Sequence, residues 1–61
     1  MTQATLLKRT DGLELWTTAT ETTQHFAVKV SRRRARVLAT LAEAEAYFSA
    51  MLGRIRAARA H

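Results

Sequence analysis

The chain has 61 residues, with ten Lys and Arg against five Asp and Glu, a formal net charge of +5, and no cysteine or proline. That length holds one domain, and a domain so small buries only about 60% of its unfolded surface. Disulfides are excluded, a structural zinc site is not expected from His25 and His61 alone, and stability is left to close packing or self-association.

In chain order, the first half is rich in Thr, Val, Leu and aromatics, which favours strands. A first strand is read at about 4–9 and a second at 13–18, with Asp11-Gly12 between them as a hairpin signal. Two registers are open. A two-residue turn sets Lys8 opposite Leu15 and Leu7 opposite Trp16. A three-residue loop, Thr10-Asp11-Gly12, sets Leu7 opposite Leu15, Lys8 opposite Glu14 and Leu6 opposite Trp16. The second is preferred, because it sorts the faces and pairs opposite charges. One face then carries Leu7, Leu13 and Leu15, and the other Leu6, Lys8, Glu14 and Trp16.

The Thr-rich stretch 18–23 suits a second turn. At 24–30, Phe26, Val28 and Val30 alternate with His25, Ala27 and Lys29, the clearest period-two pattern in the chain. Arg32-Arg33-Arg34 reads as a turn, and 35–38 as a short fourth strand or a lead-in to the helix.

The last third is rich in Ala, Glu, Leu and Arg and predicts a helix at about 41–58. Thr40-Leu41-Ala42-Glu43 fits a capping box, with the Glu43 side chain reaching back to the Thr40 amide. Glu43 and Glu45 lie in the first turns, and Arg54, Arg56 and Arg59 toward the end, as the helix dipole favours. Leu41, Ala44, Phe48, Met51, Leu52 and Ile55 form one apolar stripe. Gly53 costs roughly 1 kcal/mol relative to alanine, so a bend and fraying are expected there. The expected fold class is α+β, a three- or four-stranded antiparallel sheet packed against one C-terminal helix. A helix of about 20 residues spans about 30 Å and a six-residue strand about 20 Å. The helix should then overhang the sheet, leaving Met51, Leu52 and Ile55 to be covered by a second chain. With Leu6 and Trp16 on the other face, this makes a homodimer the expectation.

Candidate functional residues are weighed against simpler readings. Arg32, Arg33, Arg34 and Arg36 form the densest charge, suited to forked hydrogen bonds with phosphate or an acidic partner. The simpler reading is a solvated turn. Trp16 on an open sheet face can stack on a base or anchor an interface, or it can be ordinary core. Phe26, Phe48 and Tyr47 read as core or core edge, with the Tyr47 hydroxyl at solvent. His25 reads as a surface or core-edge residue. No carboxylate pair, nucleophile–base arrangement, phosphate loop or metal cluster is visible, so neither enzyme activity nor a cofactor is expected. No apolar run approaches the roughly 18 residues of a membrane span. Met1-Thr2-Gln3-Ala4-Thr5 lacks the features of a signal peptide, and cytoplasmic residence is the default.

The stretches His25-Phe26-Ala27-Val28-Lys29-Val30 and Thr40-Leu41-Ala42-Glu43-Ala44-Glu45-Ala46-Tyr47-Phe48 carry a resemblance. Between 25 and 52 the chain resembles the arm-type, AP2-like DNA-binding domains of phage tyrosine recombinases. Those have a three-stranded sheet and a helix that begins near Thr-x-x-Glu-Ala. The glycine usual before their last strand is replaced here by Arg32–Arg34. The resemblance implies a phage or mobile-element regulator that lays the sheet face opposite the helix into a groove, with Lys8, Trp16, Lys29 and Arg36 nearest the nucleic acid. The leading expectation is a small basic nucleic-acid-binding module. The alternative is a small inhibitor or anti-activator that docks on a host protein.

Overall fold

The computed structural model describes residues 3–30 and 34–60. The order is β1 (Gln3–Thr10), β2 (Leu13–Ala19), β3 (Gln24–Val30), β4 (Arg36–Leu38) and α1 (Leu41–Arg59). The fold is α+β: one antiparallel sheet in the order β1-β2-β3-β4, with α1 packed over β2, β3 and β4.

The β1–β2 turn is the two-residue form. Thr10 pairs with Leu13, and Asp11 and Gly12 both take positive φ, 53° and 81°. Two left-handed residues twist with the strands, and Asp-Gly tolerates that conformation better than most pairs. Lys8 therefore lies opposite Leu15 and Arg9 opposite Glu14. This corrects the preferred three-residue loop. Beyond Lys8 the register shifts, with Leu7 as the extra residue of a bulge, so Leu6 still meets Trp16. Each candidate register thus holds on one side of Leu7.

The second turn is tied by Thr20. Its amide donates to the Thr23 carbonyl at 2.8 Å, its hydroxyl oxygen accepts from the Thr23 amide at 3.0 Å, and the two hydroxyls lie 2.7 Å apart. At the start of α1 the Thr40 hydroxyl oxygen accepts from the Glu43 amide at 3.1 Å. The reciprocal Glu43 side-chain bond is not formed among the described residues.

Alternation decides which side chains meet the helix. Leu13 and Leu15 of β2, Phe26 and Val28 of β3, and Ala44 and Phe48 of α1 are the buried core, with Leu13, Leu15 and Ala44 fully enclosed. Val30, Leu38, Tyr47, Met51, Leu52 and Ile55 pack around it. The apolar end of the helix is covered in part by its own chain. The strands are longer than six residues, and Met51, Leu52 and Ile55 are half-buried against the core of their own chain. Leu41, in contrast, leaves the stripe and is exposed. The helix runs unbroken through Gly53.

These faces generate a stability contrast. Leu15→Ala should lower unfolding free energy by about 2–5 kcal/mol. Val37→Ala, on the far face, should change it by no more than about 0.5 kcal/mol. Urea denaturation of both variants measures the difference, and equal losses would mean that the wrong face has been assigned to the core.

Candidate nucleic-acid interface

The row Lys8–Leu15–Val28–Arg36 crosses all four strands on the helix side. The described cations lie on this row or on one side of it, together with Asp11 and Glu14. β3 ends and β4 begins at the end that carries the Asp11-Gly12 turn, since Val30 pairs with Leu13 and Arg36 with Val28. Strand β4 then runs toward the Thr20–Thr23 turn, and α1 returns over the sheet until Arg56 and Arg59 reach Asp11. Lys8, Arg9, Lys29, Arg34, Arg36, Arg54, Arg56 and Arg59 all lie on the row or on its Asp11 side. Glu21, Glu43 and Glu45 lie on or toward the other. Between Glu21 and Glu43 the sequence has Lys29, Arg32, Arg33, Arg34 and Arg36 and no Asp or Glu. Arg32 and Arg33 lie outside the described residues.

Some of these cations are occupied. Asp11 Oδ1 accepts from Arg59 at 3.1 Å, and Asp11 Oδ2 accepts from Arg56 at 3.4 Å. Arg9 lies 3.8 Å from Glu14. Lys8 Nζ is 3.5 Å from Glu45 and 5.8 Å from the centre of the Phe48 ring, and Arg36 stands 5.4 Å over Tyr47. Among the described residues, Lys29, Arg34, Arg36 and Arg54 have no carboxylate partner, and all four are exposed.

The face away from the helix is organised as rows. Leu6, Trp16, Ala27 and Val37 are successive cross-strand partners. Leu6 is 38% exposed and Val37 64%. Trp16 is half-buried, and its Nε1 donates to Glu14 Oε1 at 3.3 Å. One step toward the basic end lies the row Arg9–Glu14–Lys29, and one step the other way Ala4–Thr18–His25. Thr18, His25, Phe26, Ala27 and Val37 line a shallow, open depression of about 300 Å³.

Trp16 and Lys29 thus share the outer face as expected. Lys8 and Arg36 do not: the two-residue turn and the Val28–Arg36 pairing place them on the helix side, where they embrace α1 over Phe48 and Tyr47. Leu6 belongs with Trp16, but Met51, Leu52 and Ile55 are separated from that pair by the whole thickness of the sheet. Sequence reasoning passed over Val37 and Ala27 as members of the row. Their signal was the parity of β3 and β4 relative to Trp16. It also passed over the Asp11 clamp on Arg56 and Arg59, which no local pattern announces across 45 residues or more. Among the described residues no group of three His, Asp or Glu could hold a metal ion, and no helix is long and apolar enough to cross a membrane. No protein-family model matches the chain, and comparison with curated proteins and with solved structures yields no match.

The clamp makes a measurable prediction. Asp11→Asn keeps a residue suited to the turn and frees two guanidinium groups. Stability should fall by no more than about 1 kcal/mol, since these pairs are largely exposed. Affinity for a polyanion at low salt should rise a few-fold, as read by a titration with fluorescently labelled oligonucleotide.

Proposed function

We propose that the protein is a small nucleic-acid-binding module. The observation that carries this reading is the one-sided charge: every described Lys and Arg lies on the row Lys8–Leu15–Val28–Arg36 or on its Asp11 side, and four of them lack a carboxylate partner. Guanidinium and ammonium groups gathered at one end attract phosphate by counterion release. The helix macrodipole places its negative end there as well, so the arginines of the last turns first offset that dipole and Asp11. Lys29, Arg34 and Arg36 are left as the phosphate contacts, with Arg32 and Arg33 adjacent in the chain. The resemblance to arm-type recombinase domains supports a DNA ligand and a mobile-element origin. Here the sheet has four strands where that family has three.

Binding to duplex DNA and to RNA from low to moderate salt tests the reading, and no binding at low salt would overturn it. Arg33→Ala with Arg34→Ala should lower the salt slope for duplex DNA by roughly 2 if both contact phosphate. Stability should shift by no more than about 0.5 kcal/mol. A large fall in melting temperature would show that these arginines hold the fold instead.

A second reading, a protein-docking module or homodimer, is favoured by the exposed apolar row and by Val37 in particular, at 64% exposure. The interface would be the sheet face and not the helix end. A monomer mass at every concentration in sedimentation equilibrium removes the dimer. Stoichiometric retention of a partner from nuclease-treated lysate would favour docking over nucleic-acid binding.

A further inference from the structure

We infer that the ligand is a single-stranded polynucleotide, laid across the outer sheet face with a base stacked on Trp16. The inference rests on the nucleic-acid reading and names the form of the ligand. It begins with what the outer face offers. Leu6, Ala27 and Val37 carry no hydrogen-bonding side chain, so they make none of the bidentate contacts by which most base edges of a duplex are read. They form one apolar row with Trp16 at its interior. Apolar and aromatic surface matches the flat faces of bases, and a duplex hides those faces in its own stack. Only an unpaired strand presents them.

The spacing also fits. Four strands about 4.8 Å apart make a row about 14 Å long, room for one base on Trp16 and another beside it. The row Arg9–Glu14–Lys29 lies two residues along β2 and β3, and three along the bulged β1, roughly 7 Å away on the basic side. A nucleotide places its phosphate beside its base at such a remove. Bases on the Trp16 row therefore bring the backbone over Lys29. Glu14 stands in that path, but its carboxylate is held by Trp16 Nε1 at 3.3 Å and faces Arg9 at 3.8 Å. These contacts offset its charge and fix the indole ring. A ring held in advance loses little freedom on stacking. On the other side of the row, the depression between His25 and Val37 is open enough for a flat heterocycle next to the one on Trp16.

Trp16 is the only tryptophan, so its fluorescence reports this face alone. The test is titration with a single-stranded oligothymidylate and with a duplex of equal length, reading both indole emission and the anisotropy of a labelled strand. The single strand should quench Trp16 and bind more tightly than the duplex. Trp16→Leu should weaken single-strand binding about ten-fold, with little change toward duplex. Val37→Glu, at a position exposed enough to leave the fold intact, should weaken it as well and provides a check should Trp16→Leu misfold. Duplex binding as tight as single-strand binding, or single-strand binding without quenching, overturns the inference while the nucleic-acid reading survives. No binding of either probe at low salt brings down both.

Discussion

One helix covers one face of a sheet, and this limit shapes the rest of the molecule. A 19-residue helix is the whole second layer, and it lies over β2, β3 and β4. Every fully enclosed side chain therefore belongs to the inward parity of β2 and β3 or to the inner stripe of α1. Among the described residues the outward parity has no second layer to meet. Trp16 is half-buried there only because Leu6, Ala27 and Glu14 border it on the sheet itself. The row leaves Leu6 and Val37 as its exposed apolar members, on either side of Trp16 and Ala27.

The same limit leaves β1 at the margin. Seven of its eight residues are exposed, and its outer edge has no strand beside it. The chain compensates with side chains instead of core. The stem of Lys8 reaches from β1 to Phe48 and Glu45, and Asp11 at the hairpin tip reaches Arg56 and Arg59. Each exposed pair contributes little alone. Together they join the first hairpin to the helix at two points, its first half at Glu45 and Phe48 and its end at Arg56 and Arg59. The bulge at Leu7 is what makes the first possible. It lets Lys8 face inward while Leu6 faces out, and a bulged edge flanked by Lys8 and Arg9 is a poor template for unwanted strand pairing.

Much of the fold was legible because its signals are local. The period-two pattern at β3, the Asp-Gly turn and the Thr40–Glu43 cap each act within a few residues, and the element boundaries fall within a residue or two of those expected. The site was less legible because it depends on parity between strands. Placing Lys8 requires knowing that the turn has two residues and that Leu7 is bulged. The preference for a three-residue loop came from pairing Lys8 with Glu14, when Arg9 takes that partner and Lys8 finds Glu45 on the helix. Arg36 was similarly set by its pairing with Val28, which turns it inward over Tyr47. The overhang of the helix was overestimated because the strands run to seven and eight residues and the hairpin tip extends the platform further.

On the outer face the row Arg9–Glu14–Lys29 runs beside the apolar row, while Lys8, Arg36 and the helix arginines stand on the other face. The described Lys and Arg stay on one side of a line across the sheet, and that line runs beside the apolar row instead of through it. A basic surface without the row would bind any polyanion by phosphate contact. An apolar row without the adjacent cations would fit another protein as well as a base. Here the two lie a single pleat repeat apart, with Glu14 joining them by holding the indole on one side and facing Arg9 on the other. The single strand proposed above suits both rows, with regular negative charge along one edge and flat bases along the other.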